Sequence, residues 1–308
     1  MVDNQDIKLS IIIPTYNREK ILPQTIDLIL KENFPGCELI LIHQRPRLSP
    51  EFQEFLKMTE NRIRYFAVDW TSVPRACNFG VEKACGKIIL MLDDDIIPYP
   101  NLVSAHLKNY EDPKVGAVAG KILIPHPVKF PEHVGRIGGL GPKHESFVSS
   151  KKQYVETGGG GNMSFRRTVF EKLGGLDTNF IQNAHRFEGD FCFRLRKLGC
   201  LIVYDPEAVV RHLEFKTGGI RSWGGWVTNS PAFYRNEMLF YFKNRPDGPL
   251  GRYLWLNYIQ RVPSRNIKNF IIRIFTFPCG VLWGSWVYLF RYRFKRIYTG
   301  LKEKKARS

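Results

Sequence analysis

Three consecutive carboxylates, Asp93, Asp94 and Asp95, directly follow the five apolar residues 88–92. An apolar run of this length is typical of a strand buried on both faces, and ligands in open α/β sheets bind beyond the carboxyl ends of such strands. Three adjoining acids repel one another unless a positive charge lies among them, and their hard oxygen atoms suit Mg²⁺ or Mn²⁺. The stretch therefore predicts a divalent metal site for a phosphate-bearing substrate. Asp95 alone could instead cap a helix, but one cap does not account for three acids.

The segments around these acids alternate between predicted strands and predicted helices. The strands are expected at residues 7–13, 38–42, 63–68, 88–92 and 115–124. The helices are expected at residues 21–30, 51–58, 74–84 and 101–110. This alternation predicts a parallel, doubly wound α/β sheet with its ligands above the strand ends.

Between residues 125 and 156 the pattern is lost, because Pro, Gly, His and Lys dominate. Long loops in compact domains are usually functional or mobile, so we expect a mobile loop here. The glycines 158–161 are not followed by Gly-Lys-Ser/Thr, which excludes a phosphate-binding loop of that type. Further structure is expected as helices at 166–173 and 191–198, a strand at 201–204 and an extended piece at 209–212.

The positive charge of the chain is concentrated in its last third. The formal net charge is +17, but residues 1–214 carry 28 basic and 26 acidic side chains, whereas residues 215–308 carry 18 and 3. A basic segment recruits an anionic partner, which is either nucleic acid or the negative face of a membrane. The neighbouring residues decide between these two partners.

The last third is also rich in aromatic residues and contains the apolar segment 271–290, which Arg291 and Arg293 follow. An apolar, Trp-rich segment flanked by cations favours an anchor on an anionic membrane surface. A core helix pair with a solvated basic tail is the alternative, and a true crossing is disfavoured by the internal Pro278 and Arg273. The aromatic residues include Trp223, Trp226, Phe233, Tyr234, Phe240, Tyr241, Phe242, Tyr253, Trp255 and Tyr258.

The composition excludes a disordered chain, because 44% of the residues are hydrophobic. The polar, acidic start at residues 1–6 leads directly into a strand, so we expect no signal peptide and a cytoplasmic protein. The six cysteines form no C-x-x-C pair and have no zinc-site spacing, which predicts reduced and mostly buried thiols. They are Cys37, Cys77, Cys85, Cys192, Cys200 and Cys279.

Seven short motifs then follow one another along the chain. They are Leu9-Ser-Ile-Ile-Ile-Pro-Thr-Tyr-Asn17, Asn78-x-Gly80, Leu92-Asp-Asp-Asp95, Gly161-Asn-Met-Ser-Phe-Arg166, Glu188-Gly-Asp190 ahead of Arg194-Leu195, His212, and Tyr234-Arg235-Asn236. Each motif alone is weak, but in this order they resemble the family 2 glycosyltransferases over roughly residues 7 to 245. The resemblance implies an inverting enzyme with a GT-A fold, a metal-binding Asp-x-Asp pair and an acceptor half with a catalytic carboxylate.

Carried over onto this sequence, the resemblance gives three sets of site residues. The metal ligands are expected to be Asp93, Asp95 and His212, with Mn²⁺ or Mg²⁺ as the ion and Asp95 in direct contact. The acceptor side is expected at Gly161, Asn162 and Met163. The donor-binding residues are expected to be Pro14, Thr15, Tyr16, Asn17, Gln44, Asp69, Arg75, Asn78, Asp93 and Asp94.

Two positions depart from the family pattern. Cys77 stands where an Arg often precedes the Asn of the Asn-x-Gly motif, so Arg75 could take over that role. After the second strand the family commonly has an acid that contacts the base, whereas this chain has His43-Gln44-Arg45. Gln44 could supply only an amide oxygen, and Asp69 is a second substitute. The nucleotide therefore stays open among UDP, GDP and dTDP.

The catalytic base is expected in the segment that contains Glu188 and Asp190. Counting back from Arg194, Glu188 falls at the base position of the family motif, and Asp190 falls at the later acid. An inverting transfer needs one carboxylate to take the proton of the acceptor hydroxyl. Residues two apart at a helix start point to different sides, so we expect Glu188 to act and Asp190 to pair with Arg194.

Together these features predict an inverting, metal-dependent glycosyltransferase that moves a sugar from a nucleoside-diphosphate sugar to a hydroxyl of a lipid-linked or polysaccharide acceptor. The expected catalytic domain is 1–214, with a donor half at 7–124, the loop at 125–156 and an acceptor half at 157–214. The expected anchor is 215–308, which would hold the protein at the inner face of the cell membrane. A sugar nucleotidyltransferase and a basic nucleic-acid-binding protein are the alternatives.

Overall fold

A computed structural model describes residues 7–32, 34–125, 133–135, 137–138, 141–142, 147–213, 219–220, 229–245, 249–254 and 266–294 of the 308-residue chain. Contacts divide the chain into two compact units. The first unit comprises residues 1–137, 142–178 and 188–220, and the second comprises residues 138–141, 179–187 and 221–308.

Nine strands of the first unit form one sheet. They are β1 (Leu9–Thr15), β2 (Cys37–Gln44), β3 (Arg64–Val68), β4 (Ile88–Leu92), β5 (Ile96–Pro98), β6 (Val115–Leu123), β9 (Gln153–Tyr154), β10 (Asn162–Arg166) and β11 (Leu201–His212), while the short strands β7 (Ile137–Gly138) and β8 (Gly141–Pro142) pair with each other. The order in the sheet is β3-β2-β1-β4-β10-β6-β11-β5, with β9 beside β11.

The predicted α/β fold is confirmed, but the sheet is mixed, since only part of it is parallel. Strands β3, β2, β1 and β4 run parallel, as do β6 and β11, whereas β10 lies antiparallel between β4 and β6. The sequence pattern does not predict β5 or β10, because both are short and follow acidic or glycine-rich stretches. The two extended pieces expected at 201–204 and 209–212 are one strand, β11, with an irregularity between Asp205 and Val209.

The helices agree with the sequence pattern, apart from their ends. In the first unit they are α1 (Leu22–Lys31), α2 (Pro50–Thr59), α3 (Val73–Lys83), α4 (Leu102–Leu107), α5 (Arg167–Lys172) and α6 (Phe187–Lys197). The helix expected at 101–110 tightens into a 3₁₀ turn at Lys108–Glu111. Ser49 and Ser72 cap α2 and α3, and each is followed by a proline in the first turn.

Strands β1 and β4 form the centre of the buried core. The apolar side chains of residues 88–92 are at most 5% exposed, as expected for a strand covered on both faces. The two strands are parallel and in register from Leu9 opposite Ile88 to Ile12 opposite Met91. Their carboxyl ends therefore lie side by side, which brings the loop after β1 to the acids after β4.

The second unit is built from α7 (Pro231–Asn244), α8 (Leu250–Leu254) and α9 (Ile267–Tyr288), which continues into a π-helical turn at Leu289–Phe294. Helices α7 and α9 pack closely because α9 presents glycines to α7. A Cβ on Gly280 would lie 2.6 Å from the Cβ of Tyr234, and a Cβ on Gly284 would lie 2.7 Å from that of Met238. Any larger side chain at these two positions would separate the helices.

Helix α7 also holds the segment 179–187. The Asn236 side chain accepts a hydrogen bond from the Ile181 amide (3.3 Å) and donates one to the Ile181 carbonyl (3.0 Å). Glu237 is fully buried and accepts from His185 and Arg186. These contacts secure a segment in which Gln182, Ala184 and Arg186 all have positive φ, a conformation that is costly for residues other than glycine.

Among the described residues, one helix, Ile267–Arg293, is long and apolar enough to cross a membrane by length and composition alone. The described residues do not include Trp223, Trp226, Trp255 and Tyr258, the parts 126–132, 136, 139–140 and 143–146 of the loop expected at 125–156, or the basic tail 295–308. The cysteines are all free, but only Cys77 and Cys192 are buried and Cys279 is exposed, so the prediction of mostly buried thiols is wrong.

Candidate active site

The predicted metal ligands lie together at the ends of β4 and β11. Strand β11 pairs antiparallel with β5, which sets His212 opposite Ile96 and therefore beside Asp95. The His212 Nε2 atom is 3.4 Å from Asp93 Oδ2 and 3.3 Å from Asp95 Oδ1. One ligand atom from each of the three residues lies within 4.8 Å of the others. Two carboxylates and one imidazole suit Mn²⁺, and carboxylates suit Mg²⁺, so this donor set fits the predicted ions.

A positive charge lies beside two of the three acids, and it comes from Arg18, which is not among the predicted site residues. The Arg18 side chain is only 5% exposed and forms ion pairs with Asp95 and, at 3.6 Å, with Asp94. Arg18 reaches them because it follows the loop after β1, beside the end of β4. The only signal in the sequence is a cation directly after Pro-Thr-Tyr-Asn, which also fits the start of a helix.

Asp94 is not one of the three possible metal ligands and is held by Thr15 and Arg18 instead. Its Oδ2 atom accepts a hydrogen bond of 2.6 Å from the Thr15 hydroxyl. Burial raises the pKa of the Asp94 carboxyl to about 7, although the Arg18 charge and the Thr15 hydrogen bond both favour the ionised form. The three consecutive acids therefore have different surroundings: Asp93 is partly exposed, Asp94 is held by Thr15, and Asp95 is buried beside Arg18. Three identical residues in the sequence do not reveal this difference.

Two glycines ahead of β10 face the two groups of carboxylates. A Cβ on Gly161 would lie 2.2 Å from Asp93 Oδ2, and a Cβ on Gly160 would lie 2.6 Å from Glu188 Oε1. Both acids also raise the pKa of the buried Cys77 thiol, after the larger effect of burial. The absence of side chains at Gly160 and Gly161 thus leaves room for the carboxylates of Asp93 and of the half-buried Glu188 next to the same short segment.

Asp190 has the structural role that the sequence led us to expect. It is fully buried, and its Oδ2 atom accepts a hydrogen bond of 2.9 Å from Arg194 Nε. Arg194 also donates to the carbonyls of Leu173 and Gly175. The predicted pairing of Asp190 with Arg194 is confirmed by this contact.

Several residues expected near the donor use their side chains within the fold. The Gln44 amide oxygen accepts from the Ser72 amide at 2.6 Å, and Asn78 forms hydrogen bonds of 2.9 Å with both the amide and the carbonyl of Leu176. The Arg75 guanidinium stacks over Trp70, with 4.1 Å to the ring centroid. Gln44 thus joins the segment before α3 to the sheet, and Asn78 joins the loop after α5 to α3.

Asp69 lies at a cavity at the ends of β2 and β3. The cavity has a volume of about 530 Å³ and is lined by Arg45, Pro46, Arg47, Ala67, Val68 and Asp69. Arg45 has a positive φ of 47° and donates from Nε to the Asp69 carbonyl at 2.7 Å. This contact leaves the Asp69 carboxylate exposed at the edge of the sheet.

The acceptor-side prediction falls on residues whose side chains are buried. The Asn162 Oδ1 atom accepts a hydrogen bond from His106 Nε2 at 2.9 Å, and the Asn162 Nδ2 atom donates to the carbonyls of Lys121 and Ala208. Met163 is also fully buried. Burial lowers the pKa of His106 to about 4, so this histidine is neutral at pH 7 and serves as a hydrogen-bonding group of the core.

Comparisons with known proteins agree with this fold and its sequence motifs. A glucosyl-dolichyl phosphate glucuronosyltransferase of Haloferax volcanii is 22% identical over 227 residues, which cover 68% of this chain and 70% of the relative. The O-antigen chain rhamnosyltransferase RfbN of Salmonella typhimurium is 25% identical over 269 residues, which cover 78% of this chain and 83% of the relative.

Among solved structures, the crystal structure of GalNAc-T7 with UDP, GalNAc and Mn²⁺ matches with a TM-score of 0.63 at 15% identity. The match covers 94% of this chain and 59% of that chain, and it confirms the GT-A fold. A family model described as glycosyl transferase family 2 matches residues 10–174, which is more than half of the chain. The protein therefore belongs to glycosyltransferase family 2.

Proposed function

We propose that the protein transfers a sugar, with inversion, from a nucleoside-diphosphate sugar to a hydroxyl group of a lipid-linked or polysaccharide acceptor. The observation that carries this proposal is that Asp93 and Glu188 lie beside two adjacent glycines, Gly161 and Gly160 respectively. Asp93, with Asp95 and His212, lies on one side, and Glu188 lies on the other. The cluster of Asp93, Asp95 and His212 is suited to hold a metal-bound leaving group, and Glu188 is suited to accept a proton.

Asp93, Asp95 and His212 would hold Mn²⁺ or Mg²⁺. A bound ion supplies Lewis-acid stabilisation of the charge that develops on the departing nucleoside diphosphate. Glu188 takes the proton of the acceptor hydroxyl while that oxygen forms a bond with the anomeric carbon. The bond between the anomeric carbon and the diphosphate oxygen breaks on the opposite face, and the diphosphate leaves with the electron pair.

We further propose that the acceptor is presented at the inner face of the cell membrane. The names of the two relatives support an acceptor of this kind, since one refers to a dolichyl phosphate and the other to the O-antigen chain. The basic excess after residue 214 supports attraction to anionic lipid. In this proposal residues 1–214 carry the catalytic machinery and residues 215–308 carry the contact with the membrane.

The test combines Glu188→Gln with nucleotide binding. Wild type and Glu188→Gln are titrated with UDP, GDP and dTDP in the presence of Mn²⁺, and the melting temperature is followed, because a ligand that binds the folded state raises it. We expect one nucleotide to stabilise both proteins equally, whereas Glu188→Gln lowers transfer of the matching sugar by about 10²–10⁴-fold.

The matched control is Glu207→Gln, which removes an exposed acid that pairs with Lys108 on the surface. This variant should keep full transfer. Unimpaired transfer by Glu188→Gln would contradict the role of Glu188 as the base, and the absence of Mn²⁺-dependent stabilisation by any of the three nucleotides would contradict the proposed donor class.

A further inference from the structure

Helix α9 turns several polar and small residues towards the protein and many of its large apolar residues outwards. The buried positions recur every three or four residues, which defines one face of a helix. They are Arg273, Thr276, Gly280, Gly284 and Val287. A surface helix of a soluble protein has the opposite arrangement, with the apolar face inside.

The outward face of α9 carries a continuous apolar stripe. Its exposed fractions reach 72% at Ile267 and Leu282, 67% at Phe275 and 56% at Trp286. The other members of the stripe are Ile271, Ile274, Trp283 and Phe290. Large contiguous apolar patches on a protein surface mark contacts with other proteins or with membranes.

The charges around the stripe select between these two partners. Residues 266–302 contain no Asp or Glu, whereas Lys268, Arg291 and Arg293 are exposed at the two ends of the helix. The face combines an apolar strip with cations at both ends and has no acid. An anionic lipid surface is complementary to both features, because it offers hydrocarbon and negative headgroups together. Apolar side chains enter the acyl boundary while Lys and Arg meet the headgroups.

The contact between α7 and α9 determines how α9 can enter the lipid. The close approach at Gly280 and Gly284 places α7 along the middle of α9. Helix α7 has 14 residues, fewer than the roughly 20 that a crossing requires. It also carries Arg235 and Glu237, and charged groups at the bilayer centre are costly. A crossing α9 would carry this polar helix into the hydrocarbon.

We infer that α9 lies parallel to the membrane surface, with its apolar stripe immersed and its glycine face on α7. This inference rests on the membrane contact proposed above, and it specifies the residues that make that contact and their depth. An in-plane helix immerses its apolar face about 5–10 Å below the headgroup level along its whole length. A crossing helix instead reaches the bilayer centre at its midpoint.

The exposed Cys279 is a native position for a spin label near the middle of the stripe. The label is attached there in a protein in which the partly exposed Cys37, Cys85 and Cys200 are replaced by serine, and at Ile267→Cys or Phe290→Cys in proteins that also carry Cys279→Ser. Depth is measured by power saturation of the full chain on phosphatidylcholine vesicles that contain phosphatidylglycerol. We expect the same shallow depth at all three positions. A deep centre with shallow ends would overturn the in-plane arrangement.

Leu282→Glu tests the stripe without a label. Burying one leucine side chain contributes about 1.5–3 kcal/mol, so the variant should bind vesicles roughly 10- to 100-fold more weakly. The matched control is Met58→Glu on α2, which replaces an apolar residue that is 70% exposed in the first unit. It should bind vesicles as wild type does.

Two other outcomes would overturn the inference. Aqueous labels at all three positions would exclude membrane contact, and spin–spin broadening between labels would assign the stripe to a second copy of the chain. Both outcomes leave sugar transfer untouched, because transfer is tested separately by Glu188→Gln and by nucleotide binding.

Discussion

Each unit contains a buried arginine paired with carboxylates, but the two clusters are completed differently. In the second unit Glu237 is fully buried, and both of its oxygens are used: Oε1 by His185 and Arg186, each at 2.7 Å, and Oε2 by the Tyr253 hydroxyl at 2.5 Å. With both carboxylate oxygens engaged inside the second unit, Glu237 is closed to a ligand. Its contribution is therefore to stability.

In the first unit the corresponding cluster is open. Asp95 directs Oδ2 to Arg18 and Oδ1 towards His212, and the neighbouring Asp93 side chain is 42% exposed. No hydrogen-bond partner for Arg18 Nε lies among the described residues. A buried acid–arginine pair is common in folded proteins, so the pair alone does not mark a site. What distinguishes the cluster of Asp95 from that of Glu237 is the presence of the partly exposed Asp93 and of His212 within metal-ligand distance of Asp95.

The strongest test of this contrast is Asp95→Asn. Loss of a metal ligand removes several kcal/mol of transition-state stabilisation, so turnover should fall by about 10³-fold or more. Stability should change by no more than about 1–2 kcal/mol, because Asp94 stays near Arg18 and the amide keeps the shape of the side chain. Initial rates with added Mn²⁺ and urea unfolding measure the two quantities. Full activity in the presence of a chelator would remove the metal from the mechanism.

Glu237→Gln should give the reverse result. Removing one charge of a closed, buried cluster leaves Arg186 without its counterion, which typically costs about 3–5 kcal/mol. Hydrogen exchange of the α7 amides measures this loss locally, which is necessary because a chain with two units need not unfold in one step. The control is Glu171→Gln, which breaks the exposed pair with Arg167 and should cost at most about 0.5 kcal/mol. Equal losses in Glu237→Gln and Asp95→Asn would contradict the distinction between the clusters.

The same contrast explains what the sequence can and cannot predict. Strands β1 and β4 are apolar runs that end in polar residues, so both the sheet and the position of Asp93 and Asp95 follow from local pattern. Arg18 could not be predicted, because its partners are 76 and 77 residues further along the chain and only the register of β1 on β4 brings them together. Asn162 fits a family motif, yet the antiparallel insertion of β10 buries it against His106.

Residues of the second unit were predicted less well for a physical reason. The periodicity of α9 is clear in the sequence, but periodicity does not say which face is covered. Glycines 280 and 284 do not by themselves indicate a packed face, and only the contact with α7 shows that they form one. Glu237 likewise has no sequence signal, because its partners are a loop 51 and 52 residues earlier and a tyrosine in the next helix.

The smallest expected effect is a difference in acid sensitivity between the units. Burial lowers the pKa of His106 to about 4, below the roughly 6.5 of an unfolded histidine. Between these values the unfolded chain binds a proton that the folded chain does not, so the stabilisation from neutral His106 falls as the pH falls from 6.5 to 4. The slope is about 1.4 kcal/mol per pH unit, or about 3 kcal/mol in all.

Glu237 responds only at lower pH. Burial acts to raise its pKa, but Arg186 and His185 hold it well below 4.5, so its stabilising charge is complete above that value and is lost as the pH falls further. Asp94 has the opposite effect on stability from His106. Its pKa of about 7 makes the folded first unit take up a proton on acidification, which stabilises the folded state.

The effect of His106 must therefore be isolated as the stability difference between wild type and His106→Gln. Hydrogen exchange of the β10 amides measures this difference, which should shrink as the pH falls below 6.5. The stability difference between wild type and Glu237→Gln, measured in α7, should stay constant down to about pH 4.5. A His106→Gln difference that does not change with pH would show that the pKa of His106 is the same in the folded and the unfolded chain, which contradicts its burial as a neutral group.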